Sequence, residues 1–259
     1  MSVASLHPGS FVDPKAQLGD GVVVEPGAVI GPHVRIGAGT RVGSHALVTG
    51  WTSVGINCHL HHGAVLGSAP QDLKYSGEPS YLEVGDRTVI REYATLNLAT
   101  EPGATTRVGS DCLLMAYSHV AHNCHLGDRV IVANAVQFAG YVTVQDWAIV
   151  GGGTVVHQFV RVGCHAMIGG GSRIAQDVAP YIKLAGSPPR LAGVNSVGLE
   201  RRGFSAEART AIDRAYKLLF RGARTTQDAV AEMRAQYAGI PAVELLARFA
   251  ETSERGLTR

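Results

Sequence analysis

Val12, Leu18, Val24, Ile30, Ile36, Val42, Val48, Val54, Leu60 and Leu66 stand six residues apart, and this ladder decides how the chain folds. The phase returns at Val84, Ile90 and Leu96, and again from Val108 to Ile174. Of the 28 positions reached in steps of six from 12 to 174, 25 are Val, Leu, Ile or Phe, too many for chance spacing of apolar residues. A period of six fits neither an isolated helix nor a single strand. It marks a coiled parallel β-structure, a β-helix, in which each hexad forms one short side. Glycine often follows the ladder residue, as in Leu18-Gly19, Ile36-Gly37, Leu126-Gly127 and Val162-Gly163. It is expected there to relieve crowding and to take the positive φ of the corners.

The three ladder exceptions, Asp72, Glu78 and Pro102, fall in two gaps. The first, Ala69 to Pro79, is a polar loop flanked by prolines, and loops that interrupt a regular scaffold tend to carry function. The second, Ala99 to Arg107, is rich in Thr and Gly and offers less chemistry. Beyond Pro180 the pattern changes. Ser187-Pro188-Pro189 and Gly193-Val194-Asn195 predict an irregular connector. Ser205 predicts a helix cap ahead of Ile212, Tyr216, Leu219 and Phe220, and Thr225 or Thr226 opens a second helix that Gly239 closes. Pro241 starts a third. The expected division is a β-helix over 1–192 and a helical domain over 193–259, small enough that it must pack on the coil or on a neighbouring subunit.

Composition narrows the partners. A formal charge of +2 on 259 residues does not suit wholesale nucleic-acid binding. Met1-Ser2-Val3-Ala4 begins no signal sequence, and no apolar run reaches membrane-spanning length, so a cytoplasmic protein without stable membrane insertion is expected. Cys58, Cys112, Cys124 and Cys164 show no pairing or metal spacing and are read as reduced thiols.

The densest chemical cluster is Ser118-His119-Val120-Ala121-His122-Asn123-Cys124-His125. If three hexads make one coil, residues three hexads apart stack, and His122, Gly140, Gln158 and Gln176 share a column at roughly 4.8 Å per rung. Tyr141 and His157 adjoin that column. An imidazole titrating near neutrality beside polar partners is a candidate general base. His7, His33, His45 and His165 are read as solvated surface residues, while His59, His61 and His62 stay undecided. Histidines at 119, 122 and 125 also raise a metal site, although residues three apart do not share a face of a β-helix.

The ladder, the loop Gln71-Asp72-Leu73-Lys74-Tyr75-Ser76-Gly77-Glu78-Pro79, His119-Val120-Ala121-His122 and Val156-His157-Gln158-Phe159 together resemble the UDP-N-acetylglucosamine O-acyltransferases. Asn195 with Gly198-Leu199-Glu200-Arg201-Arg202-Gly203-Phe204-Ser205 extends the resemblance to nearly the whole chain. It implies a left-handed β-helix, a homotrimer with sites between subunits, and the first step of lipid A synthesis. An acyl group would move from acyl carrier protein to the 3-hydroxyl of the UDP-sugar. The donor is a phosphopantetheine thioester, and neither a metal nor a further cofactor is implied. By the same resemblance His122 is the general base and Gly140 supplies the backbone N–H that holds the oxyanion. Asp72, Lys74, His119, His157 and Gln158 position substrate, with Asp72 and Lys74 facing the His122 of another copy. Asn195, Arg201 and Arg202 hold the nucleotide, and Gly170 sets acyl length.

Departures from the family pattern lie at Asn123, where an Asp is frequent, at Tyr141, where a His is expected beside Gly140, at Val197, and at Asn97 in Thr95-Leu96-Asn97-Leu98-Ala99-Thr100. They leave open an amide-forming relative acting on the 3-amino sugar. A zinc hydrolase resembling γ-class carbonic anhydrases and a non-catalytic scaffold are the remaining alternatives. Arg214, Lys217, Arg221 and Arg224 form a basic stretch suited to an acidic carrier protein.

Overall fold

The computed structural model describes residues 4–259. Among the described residues twenty-eight short strands form three sheets of 11, 9 and 8 strands, and over the coil each strand pairs with the one three strands along the chain. Sheet 1 starts at Ser5–Leu6, sheet 2 at Phe11–Val12 and sheet 3 at Gln17–Leu18. One coil is therefore three hexads, and the stacked coils make a triangular prism. Parallel partners such as Arg41 and His59, or Ile131 and Ile149, stand three hexads apart. Across the first gap Trp51 pairs with Tyr81, five hexads on, and across the second Tyr81 pairs with Thr105, four hexads on. The insertions thus lengthen their coils by two hexads and by one. Both are whole hexads in length, which is why the ladder keeps its phase through segments that do not follow the repeat.

Ladder side chains fill the prism. From Val24 to Ile174 they are buried, with Val12 and Leu18 half-buried at the open end. A second inward position, two residues before each ladder residue, takes only small side chains along most of the coil, including Val22, Ala28, Thr40, Ala64, Thr154 and Ser172. Cys58, Cys112 and Cys124 occupy it, and all four cysteines are free and buried. Burial pushes the Cys124 thiol up to about 12.

The corner geometry corrects one expectation. Glycine after the ladder residue answers mainly to crowding: a Cβ on Gly37 would lie 2.6 Å from the Gly55 carbonyl of the next coil, and Gly67, at φ 78°, also takes a positive φ. The positive φ falls two residues later, as at Asn57, Asn123, Tyr141 and Phe159, where φ lies between 53° and 66°. A single residue in the left-handed region costs of order 1 kcal/mol, which tight coil stacking outweighs.

The expected irregular connector after Pro180 is instead an antiparallel hairpin, Ile182–Gly186 with Pro189–Val194, that extends sheet 1. Alternate Ile182 and Leu184 are buried against the last coil. Then come α1 (Ser196–Arg201), α2 (Ala206–Phe220), α3 (Thr226–Gln236) and α4 (Pro241–Glu251). The caps at Ser205 and Thr225 and the proline start at Pro241 fall as expected, whereas α1, capped by Asn195, is additional to the three expected helices. Among the described residues no helix is long and apolar enough to cross a membrane.

One buried carboxylate joins the helices to the coil. Asp177 Oδ1 accepts the Arg161 N–H, and its Oδ2 accepts from Ser253 and lies 3.4 Å from Arg161 Nε. The Arg161 guanidinium donates to the Phe249 and Thr252 carbonyls at the C-terminal end of α4, where a cation is favoured. Asp177→Ala strips the carboxylate from this partly buried pair and should cost about 3 kcal/mol in chemical denaturation. Asp177→Asn, which keeps an acceptor, should cost less.

Candidate active site

Both insertions leave the prism along one edge. Each follows a sheet 2 strand (Val65–Ser68, Thr95–Asn97) and ends at a sheet 3 strand (Tyr81–Val84, Thr105–Val108). The turn between His119–Val120 of sheet 2 and His125–Leu126 of sheet 3 lies on the same edge, so His122 sits beneath both loops. The stacking of His122 under Gly140 is direct. A Cβ on Gly140 would come within 2.6 Å of His122 Nε2, so only glycine admits the imidazole. Tyr141 N–H donates to the His122 carbonyl and Phe159 N–H to that of Gly140, which continues the column at the three-hexad spacing. Among the described residues the Gly140 N–H has no hydrogen-bond partner.

His122 is 9% exposed. Its Nδ1 lies 3.0 Å from Asn123 Oδ1. The Thr100 backbone N–H also donates to that oxygen, at 3.1 Å, which identifies it as the carbonyl end of the amide. His122 Nδ1 therefore carries the proton and Nε2 keeps a lone pair. Nε2 faces Asp72 Oδ2 at 3.8 Å, while Asp72 Oδ1 accepts the Lys74 N–H at 3.0 Å. Asp72, expected opposite another copy's His122, lies beside the His122 of its own chain because the first loop springs from this same edge. His119 is half-buried on the strand just before the turn, bonded to Thr95 Oγ1 at 2.7 Å. Burial and the nearby His122 lower its pKa.

The second loop, expected to offer less chemistry, reaches the imidazole's far side. Thr100 Oγ1 donates to Asn123 Oδ1 at 2.8 Å, and Asn123 Nδ2 donates to Glu101 Oε2 at 2.6 Å. Tyr141 OH donates to Glu101 Oε1. The Tyr141 ring stands edge-on to His122, centroids 5.4 Å apart, and stacks on Phe159 at 4.8 Å. The signal for these contacts lies in the three-hexad register: 123, 141 and 159 form their own column. Glu101 left no such trace, since loop residues have no period.

Other candidates lie elsewhere. His157 and Gln158 are exposed farther along the same edge, and Lys74 is exposed on the first loop. Gly170 turns between Met167–Ile168 of sheet 1 and Arg173–Ile174 of sheet 2, a different edge. Asn195 and Arg202 occupy the third edge, between sheets 3 and 1. Asn195 donates to the His165 carbonyl, and Arg202 donates to His165 Nδ1 at 3.3 Å while lying over the Trp147 ring. His165 is thus no solvated surface residue. Its ring stacks between Trp147 and Tyr181, and burial with the adjacent Arg202 pulls it down to about 4. Arg201 is exposed beside this cluster. His119, His122 and His125 lie on sheet 2, on the edge and on sheet 3. Among the described residues no three His, Cys, Asp or Glu side chains converge as metal ligands.

The chain as a whole is similar to known proteins. The family model described as Udp N-acetylglucosamine O-acyltransferase, Domain 2, matches residues 177–258, and the bacterial transferase hexapeptide model matches 4–50 and 105–140. The chain is 48% identical to an acyl-[acyl-carrier-protein]–UDP-N-acetylglucosamine O-acyltransferase of Thiobacillus denitrificans, over 99% of this chain and all of that one. It is 47% identical to its counterpart in Herminiimonas arsenicoxydans, over 99% of this chain and all of the relative. The solved structure of LpxA from Acinetobacter baumannii superposes with a TM-score of 0.95 at 39% identity, covering 98% of this chain and 99% of the other. The Arabidopsis UDP-N-acetylglucosamine acyltransferase does so at 0.85 and 32%, covering 98% and 100%. The fold is the left-handed parallel β-helix of hexapeptide repeats with a small helical C-terminal segment, and the chain belongs to the UDP-N-acetylglucosamine O-acyltransferase family.

Proposed function

We propose that this protein moves an acyl group from an acyl carrier protein thioester to the 3-hydroxyl of UDP-N-acetylglucosamine, the first step of lipid A synthesis, in the cytoplasm. The observation that carries the mechanism is the contact at His122 Nδ1: Asn123 Oδ1, which also accepts the Thr100 N–H, is placed to accept an Nδ1–H and so leave Nε2 as the ring's proton acceptor at the loop-covered edge. Nε2 takes the proton of the sugar hydroxyl as its oxygen bonds to the thioester carbon. The Gly140 N–H, without a partner among the described residues, donates to the oxyanion so formed. Collapse breaks the carbon–sulfur bond, and the imidazolium returns the proton to the departing thiolate. Asp72, Lys74, His119, Tyr141, His157 and Gln158 orient the sugar and the thioester around this centre.

The candidate residues occupy all three edges of the prism, which one chain cannot bring together. A homotrimer can. Sheet 1 presents Leu113, Ile131, Ile149 and Met167 outward in register, and sheet 2 presents Leu47, Val65 and Val155. Sheet 3 instead carries Arg35, Glu83, Arg107 and Arg161. Sheet 1 of one copy against sheet 2 of the next buries the apolar faces and leaves the charged one in water. The His122 edge then faces the neighbour's Asn195, Arg201 and Arg202, which take the nucleotide, Arg suiting diphosphate. The Gly170 edges surround the axis and close the inner end of the acyl groove. About three rungs, roughly 14 Å, separate the coil of Gly170 from that of His119. The coil over 1–192 provides this groove, and the helical domain over 193–259 provides nucleotide and carrier contacts. Lys217 and Arg224 are held by Asp213 and Glu232, so the carrier would meet Arg214 and Arg221 first.

His122→Ala should lower kcat about 10²–10⁴-fold at saturating substrates with the fold intact by circular dichroism. Near-wild-type turnover would remove His122 from the mechanism. Gly170→Met should shift donor preference to shorter acyl chains, each excluded methylene being worth roughly 0.8 kcal/mol. A Cβ there would lie 3.0 Å from the Gly152 carbonyl oxygen, so the turn at Gly152 must give by a few tenths of an ångström to take the side chain. An unchanged donor profile would place the end of the groove elsewhere. Arg214→Glu with Arg221→Glu should raise KM for the carrier-linked donor alone, and the effect should fade in high salt.

A further inference from the structure

Resting on the reading of His122 as the base, we propose that Glu101 is its positioning residue, acting through the Asn123 amide and the Tyr141 hydroxyl. Nothing in the ladder or in the first loop provides an anionic partner at Nδ1. The group bonded there is a neutral amide. An amide both donates and accepts, and if it turned over it would present N–H to Nδ1. His122 would then place its proton on Nε2 and lose the lone pair that faces the edge.

The contacts around Asn123 oppose that rotation from both ends. Oδ1 accepts from the Thr100 N–H at 3.1 Å and the Thr100 hydroxyl at 2.8 Å, besides His122. Nδ2 donates to Glu101 at 2.6 Å, and the second carboxylate oxygen is held by Tyr141 OH. The Asn123 N–H is itself held by Thr106 Oγ1 at 2.8 Å, and the residue's φ of 59° is one that Asn tolerates well. Hydrogen bonds, the Tyr141 hydroxyl first and Asn123 and Thr100 after it, hold the Glu101 carboxyl below its ordinary value against the opposing effect of burial, which favours the anion.

A carboxylate on Nδ2 polarises the amide and makes Oδ1 a stronger acceptor. When Nε2 takes the substrate proton, the new imidazolium meets negative charge on both sides, Asp72 directly and Glu101 through the amide. The other titratable groups facing the ring are His119 from the preceding strand and Tyr141 from the next coil. Glu101 itself is exposed, although Leu98 and Ala99 at the start of its loop are buried.

The test compares E101Q, N123D and the double variant E101Q/N123D in the acyl-transfer assay, each with a pH profile of kcat/KM and a thermal midpoint. E101Q keeps the shape and removes the charge. Its kcat should fall about tenfold, the scale typical of a histidine's outer partners. The KM for the sugar nucleotide should hold and the thermal midpoint should stay put. Loss of a charge that stabilises the imidazolium lowers its pKa, so the acid limb of the profile should move to lower pH. In the double variant the carboxylate introduced by N123D accepts the same three hydrogen bonds, and the amide introduced by E101Q donates to it, so most of the lost kcat should return. Wild-type kcat and an unmoved acid limb in E101Q would overturn the proposal. So would a loss that tracks a lowered thermal midpoint and is not rescued. His122→Ala, assayed alongside, separates the failures: if it is inactive while E101Q is normal, only the role of Glu101 falls. If it is active, the reading of His122 falls as well.

Discussion

Parallel pairing at a register of whole hexads governs this molecule. Each strand is only two to four residues long over most of the coil, too short to persist alone, so it exists because the coils above and below satisfy its backbone groups. Inward ladder side chains lock that register, since a slip of one residue would turn them to water. A loop can be inserted only if the chain re-enters in phase. Additions of two hexads and of one meet that condition, and both were made at the edge that carries His122. Stability and site placement therefore share one cause.

The corners supply the site's side chains. Left-handed residues recur along the corners, and three of them, Asn123, Tyr141 and Phe159, stack into a column beside the imidazole. Such a column holds side chains more firmly than a mobile loop can, because backbone bonds fix every rung. Glycine at 140 is the counterpart: it leaves the gap that the imidazole fills. A planar, largely buried ring is thereby clamped by neighbours above, beside and behind.

The candidate polar residues are divided among the three edges of the prism, which is the ground for the proposed assembly. Outward apolar residues concentrate on sheets 1 and 2, beside the exposed Arg41 and Arg173, while sheet 3 is the more charged face, and the proposed self-association uses that pattern. His165, Trp147 and Arg202 illustrate the third edge, where cation and ring stack in place of a solvated histidine.

A six-residue period summed over 25 ladder positions makes the β-helix legible from the chain alone, because no local choice can mask it. Caps announce three of the helices in the same way, and the three-hexad register by itself brings His122, Gly140 and Tyr141 near one another. Reading fails where no period exists. The hairpin at 182–194 looked like a connector because its prolines hid a short alternation, and α1 is too brief to announce itself. Glu101 sits in a loop whose composition looked uninformative, and His165 looked like any surface histidine. Folding in three dimensions was needed to show that Asp72 meets the His122 of its own chain, that Asn123 fixes the tautomer, and that Glu101 stands behind it. Those relations depend on how loops fold back across an edge, and contacts between aperiodic residues are set by packing in space rather than by spacing along the chain.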